Sequence, residues 1–162
     1  MTRIERAPDL TNYSTNGGSR SQRQNARIGE RFVAVWDFAA MDAGLTAVDV
    51  MFAEKFVNRE PLVGPTREDY KSELRMFGAA FPNLLAVAQA IIAESSGNRV
   101  VVRWTATGTY AGGLGFVGVN DALAVGRTVT LKGIDILRIE KGKIAERWGQ
   151  FDGLGMVRQL TP

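Results

Sequence analysis

The sequence predicts an α+β fold, with N-terminal helices packed on one face of a curved antiparallel sheet and a pocket between the layers. Three observations predict it. Up to Pro82 the apolar residues recur at helical spacing. Beyond Pro82 the spacing falls to two, in segments rich in Val, Ile, Thr and Trp. The last two such segments are joined by Lys141-Gly142, a two-residue hairpin signal, so their strands are neighbours.

Each element follows in turn. Residues 1–20 contain Pro8, Gly17, Gly18 and many Ser, Thr and Asn, which predicts a flexible N-terminal arm ahead of a single domain over 21–162. Helix one spans about Ser21 to Ala40, with Ile28, Phe32, Val35, Trp36 and Ala39 on its buried face. Helix two covers about Thr46 to Phe56, capped by Thr46. Asn58 to Pro65 is a loop. Helix three starts at the cap Thr66, carries Glu68 and Asp69 in its first turn, and stops at Pro82. Leu84–Glu94 fits a strand or a helix, and the strands that follow favour a strand. Ser95-Ser96-Gly97-Asn98 is a turn, and Val100–Tyr110 is a strand. Ala111–Gly126 is Gly-rich and irregular. Arg127–Glu140 and Lys143–Asp152 are the closing strands, and Gly153–Pro162 is a tail with a short helical turn.

Composition narrows the chemistry. The 162 residues suit one domain with one core. Cys and His are both absent. That removes thiolate catalysis, Ser-His triads, disulfides and the usual zinc sites, so acid–base work falls to Asp, Glu, Tyr, Lys or a bound water. No metal site is expected. No apolar run approaches the roughly 20 residues of a membrane span, and MTRIERAPDL has no signal-peptide core, so a cytoplasmic protein without a membrane partner is expected. The net charge is +3. Arg20, Arg23, Arg27 and Arg31 read as the solvated face of helix one, and no nucleic-acid partner is expected. The glycines at 112, 113, 115, 153 and 155 match neither a P-loop nor a dinucleotide fingerprint, so no cofactor is expected.

Asp135 is the one charged residue on an apolar strand face, with Val129, Leu131, Gly133, Leu137 and Ile139. A carboxylate buried there is either satisfied by an Arg or backbone amides, or poised for chemistry by a raised pKa. A regular hairpin around Lys141-Gly142 sets Glu140 against Lys143, Leu137 against Glu146, Asp135 against Trp148 and Gly133 against Gln150. Glu146, Trp148 and Gln150 then join Asp135 on the inner face, and Gly133 leaves a gap for a ligand. Alternation in the preceding strand puts Trp104 and Tyr110 on one face, with Tyr110 a candidate hydrogen-bond donor. Phe32 and Trp36 on helix one complete the candidate lining.

Three stretches carry a family likeness. Arg103-Trp104-Thr105-Ala106-Thr107-Gly108-Thr109-Tyr110, then Gly126 to Ile139, then Gly142-Lys143-Ile144-Ala145-Glu146-Arg147-Trp148 resemble the SnoaL-like polyketide cyclases. The likeness spans roughly residues 25–160. It implies the nuclear transport factor 2-like cone, with helices on a strongly curved sheet around a deep apolar pocket, and a homodimer. It also implies intramolecular ring closure by an Asp acid/base without metal or cofactor, and that position falls on Asp135. Two departures stand out: the family's "TGTH" ends here in Tyr110, and a second His common near the long loop is replaced by Asn120-Asp121-Ala122, which makes Asp121 a candidate ligand contact. The absence of an acid in Trp148-Gly149-Gln150 argues against the related epoxide hydrolases.

Three functions are then in play. The first is a cofactor-independent cyclase or isomerase of a hydrophobic, carbonyl-containing polyketide-like or terpenoid-like molecule. In it Asp135 moves a proton and Tyr110 or Asn58 stabilises the enolate oxygen. The second is a cofactorless hydroxylase, told apart by a product that gains oxygen. The third is a non-catalytic binding module, which returns its ligand unaltered.

Overall fold

The computed structural model describes residues 18–95 and 97–161. The expected arm over 1–20 lies outside the described residues except at its end, where Ser19 caps the first helix by accepting from the Gln22 N–H. Helix α1 (Arg20–Ala34) is shorter than expected. A turn at Val35-Trp36 and a 3-10 segment (Phe38–Ala40) separate it from α2 (Met41–Met51). Thr46 is therefore not a cap. It lies inside α2, and its Oγ1 donates to the Asp42 carbonyl.

The second half of the expected helix two is strand β1 (Phe52–Asn58). Phe52 and Phe56 lie four apart, a spacing that fits one face of either a helix or a strand. Pairing with the C-terminal strand decides in favour of the strand. Helix α3 (Arg67–Ala80) begins as expected: Thr66 Oγ1 accepts from the Asp69 N–H, and Asp69 in turn accepts from Thr66 N. Removing this cap with Thr66→Ala is expected to lower stability by about 1 kcal/mol, read by denaturant unfolding.

Strands β2 (Leu85–Ala93), β3 (Arg99–Thr109), β4 (Thr128–Glu140) and β5 (Lys143–Phe151) form the antiparallel meander, and β1 joins its far side parallel to β5. The sheet is thus mixed, in the order β1-β5-β4-β3-β2. The expected loop over 111–126 contains a 3-10 turn and a short helix α4 (Asp121–Ala124), and the tail is helix α5 (Gly153–Leu160).

The turn at Lys141-Gly142 forms as predicted, both residues having positive φ and Glu140 facing Lys143. The register beyond it does not. Ile139 faces Ile144 but Arg138 faces Glu146, so Ala145 is a bulge without a counterpart. Ile144 and Ala145 are consecutive buried residues, the local sign of that bulge. One extra residue turns the rest of β5 over. Asp135 faces Gly149 rather than Trp148, and Leu137 faces Arg147 rather than Glu146.

Two rows across the sheet follow. Ile91, Val102, Asp135 and Gly149 align on the inner face, against which α1 packs closely at Gly29. Ile92, Val101, Ile136 and Trp148 align on the outer face. Between sheet and helices lies an aromatic core. Phe32 contacts Phe52 and Tyr70, and Trp36 stacks on Trp104 with centroids 5.9 Å apart.

Candidate active site

Asp135 is 1% exposed and meets two donors. Arg147 Nε donates to its Oδ1 at 2.6 Å, and Trp104 Nε1 donates to its Oδ2 at 2.6 Å. Both donors reach it because small residues make room. A Cβ at Gly133 would overlap the Trp104 indole, and a Cβ at Gly149 would overlap Asp135 Oδ1 and the Arg147 guanidinium. The gap at Gly133, expected to admit a ligand, is filled by Trp104.

Arg147 is the hub. Its side chain is buried. Nη1 donates to Asn58 Oδ1 at 3.3 Å and stands 3.7 Å from Glu73 Oε1. The guanidinium lies 5.1 Å from the Tyr70 ring centroid, and the Tyr70 hydroxyl accepts from Trp36 Nε1 at 3.0 Å. Glu73, on α3, is also buried; among the described residues its Oε2 is reached only by a long bond from Leu62 N at 3.4 Å. The Asn58 amide nitrogen is buried without a hydrogen-bond partner among the described residues.

Electrostatics follow from this packing. Burial pushes the Asp135 carboxyl above its ordinary pKa, against the pull of Arg147 and the Trp104 bond. Burial likewise raises Glu73, opposed by Arg147 and the Leu62 amide. Burial pulls Arg147 down, but Asp135, Tyr70 and Glu73 outweigh it and the guanidinium stays charged. One cation therefore serves two buried carboxyls.

A cavity of about 330 Å³ opens onto this group, between the β1–α3 loop, α3 and β5. Pro61, Leu62 and Phe151 give it apolar walls, while Arg59, Glu73 and Arg147 give it charge. Gly149 lies in its wall, directly over Asp135 Oδ1. Among the described residues no group of three Asp or Glu side chains is placed to hold a metal ion.

The expected site residues separate into four places. Asp135, Asn58 and Trp104 come together, and Gln150 lies at the cavity rim, its amide donating to Glu60. Phe32 and Trp36 are 1% and 7% exposed and belong to the core behind the site. Glu146 faces outward, paired to Arg59 and Arg138, and Trp148 lies on the outer row; the bulge at Ala145 moves both off the inner face. Tyr110 sits eight residues along β3 from Val102, the partner of Asp135, or roughly 25 Å at strand rise. Its hydroxyl donates to Asp121 at 2.5 Å and accepts from Leu114 N, so Tyr110 and Asp121 pin the 111–126 loop. The expected partnership of Tyr110 with Asp135 does not form.

Arg147 and Glu73 are the additions. The bulge hides Arg147 from any regular strand reading. Glu73 had a visible signal: it shares the stripe of Tyr70, Leu74 and Phe77 on α3, a lone acid among apolar residues, as Asp135 is on its strand.

The family model for SnoaL-like polyketide cyclases matches residues 26–160. No sequence among the curated proteins matches this chain. Among solved structures, a candidate SnoaL-like polyketide cyclase from Jannaschia sp. CCS1 superposes with a TM-score of 0.74 at 20% identity, covering 91% of this chain and all of the other, 100%. TsrD from Streptomyces laurentii gives 0.70 at 24% identity, covering 89% and 98%. AclR, a candidate hydroxylase from Streptomyces galilaeus, gives 0.70 at 23%, covering 87% and 99%. At these identities the structures establish the nuclear transport factor 2-like fold.

Proposed function

The chain belongs to the SnoaL-like polyketide cyclase family, and from that membership we propose a cofactor-independent acid/base enzyme acting on a hydrophobic carbonyl-containing small molecule. One observation carries the reading: a buried carboxylate on β4, held by Arg147, lies under a glycine in the wall of a ligand-sized cavity. Asp135 accepts the proton from the carbon α to a carbonyl. Arg147 and the unpartnered Asn58 amide supply positive potential for the enolate oxygen. Trp104 and the aromatic core keep water from Asp135. The enol or enolate then closes a ring or isomerises.

The test is exchange of α-hydrogen for deuterium in a 1,3-diketone such as benzoylacetone, followed by product mass. Protein-dependent exchange with no change of mass beyond the deuterium taken up, or with loss of water, supports the reading. A gain of oxygen indicates a hydroxylase, the description AclR carries. A ligand bound and returned with exchange no faster than in the absence of protein sinks the enzymatic reading.

The homodimer belongs to the same proposal. Its support is the outer row, where Ile92 and Ile136 are 62% and 38% exposed in line with Val101 and Trp148. A second copy of this chain is the occupant that buries such a row by self-complementarity. Ile136→Lys is expected to turn a sedimenting dimer into a monomer; an unchanged sedimentation coefficient, or a wild type already monomeric, rules the interface out.

A further inference from the structure

Proton transfer at Asp135 creates a problem that Asp135 alone does not solve. Taking a proton from carbon neutralises Asp135 and leaves Arg147 charged in a buried site, with new negative charge on the substrate oxygen. A second group that gives up a proton to that oxygen would hold the net charge of the protein's array constant. Three observations mark Glu73 as that group. It and Arg147 both line the cavity, so it meets a ligand from the α3 side, while Asp135 meets one from beneath Gly149. It is the less satisfied carboxyl: Asp135 has two bonds of 2.6 Å, whereas Glu73 has a 3.4 Å amide contact and a guanidinium nitrogen at 3.7 Å. And Arg147 spans the two, so its charge can pass from Asp135 to Glu73 without moving through solvent.

The charged and polar groups facing Glu73 are few. Arg147 on β5 and Asp135 on β4 form the hydrogen-bonded pair, Tyr70 is on its own helix, Asn58 is on β1, and Arg59 and Glu60 stand at the cavity wall. Arg147 is the one buried cation among the described residues, and its 2.6 Å bond goes to Asp135, so Glu73 is the more weakly neutralised of the two.

We propose that Glu73 carries the exchangeable proton of this site and is its second acid/base group. The carboxylic acid of Glu73 donates its proton to the substrate oxygen as Asp135 accepts the proton from the α carbon. The carbonyl becomes an enol, Asp135 ends neutral and Glu73 ends ionised beside Arg147. The reverse transfers complete the cycle. The catalytic part of this inference rests on the acid/base reading above; the location of the proton does not.

The test is therefore made first without substrate. Melting temperatures of wild type and Glu73→Gln are compared from acid to alkaline pH. A carboxyl whose folded pKa lies above its unfolded value stabilises fully below the unfolded pKa and loses that contribution as pH rises through the folded pKa. Glutamine has no such loss, so Glu73→Gln is expected to gain on wild type as pH rises through and above the ordinary carboxylate range. A difference that stays flat, or a variant that falls behind as pH climbs through the ordinary carboxylate range, overturns the proposal. If the variant fails to fold, side-chain carboxyl ¹³C titration of the wild type decides the same point: a Glu73 midpoint above the ordinary range supports it, and an ordinary midpoint overturns it. In the benzoylacetone assay, Glu73→Gln is expected to lose about 10²–10⁴-fold in exchange rate. Full exchange by the variant overturns the second-acid role. A wild type that performs no exchange while Glu73 titrates high refutes the enolisation reading and upholds the proton's location.

Discussion

Arg147→Met is expected to cost about 3–5 kcal/mol of stability, the usual penalty for breaking a buried pair by removing one partner. At about 2–4 °C per kcal/mol for a domain of this size, the melting temperature falls by roughly 6–20 °C. The physical source is the carboxyl left behind. Arg147 Nε is one of two donors to Asp135, and its Nη1 stands 3.7 Å from Glu73 Oε1. Methionine fills much of the volume and supplies neither bond nor charge. Both carboxyls then take up protons more readily, so the deficit shrinks as pH is lowered. Combining Arg147→Met with Asp135→Asn should cost less than the sum of the single changes, because the second change removes the charge that the first one stranded. Denaturant unfolding of the four proteins measures this coupling, and strict additivity would mean that the pair is not coupled.

Asp135→Asn is expected to lower α-hydrogen exchange by about 10²–10⁴-fold, the scale of a lost general base. The substitution is close to isosteric but not silent in the fold. With its amide oxygen toward Arg147, the introduced asparagine turns an NH₂ toward Trp104 Nε1, which in the wild type donates to the carboxylate at 2.6 Å. Donor against donor destabilises, so rates belong well below the variant's melting temperature. Adding Trp104→Phe removes that conflict. The double variant should recover stability without recovering exchange, separating the proton role of Asp135 from its structural one. Recovered exchange in Asp135→Asn itself would end the base assignment.

Much of this architecture is legible in the sequence, and the misses have identifiable causes. The cap at Thr66, the Lys141-Gly142 turn and the alternation of β3 are local signals, set by residues within a few positions of one another. They form as read. β1 is not local: Phe52–Asn58 is a strand because β5 accepts it, and Phe52 and Phe56 satisfy either spacing on their own. The bulge at Ala145 is a single residue, yet it exchanges Arg147 for Trp148 on the inner face. Asp135 was visible as a lone acid among apolar neighbours. Its partner was not, since the register that delivers Arg147 depends on that bulge. Glu73 shows the same lone-acid pattern on a helix, and only the packing of α3 against β1 and β5 brings it to the same cation.

The position of β1 bears on when the site comes into being during folding. The meander pairs strands that are neighbours in the chain, through tight turns at β2–β3 and β4–β5 and the longer 110–127 segment at β3–β4, contacts that form early because less chain entropy is lost in closing them. The β1–β5 seam joins residues far apart in the chain: the Arg147–Asn58 bond spans 89 positions and the Arg59–Glu146 bond 87. Contact order places that seam among the last to close. Asn58 comes from β1, and the loop that follows it walls the cavity. A chain with its meander folded and β1 undocked therefore holds Asp135 and Arg147 without the cavity wall or the Asn58 amide. Such a species is inert rather than slow, and refolding should restore exchange activity after it restores strand content.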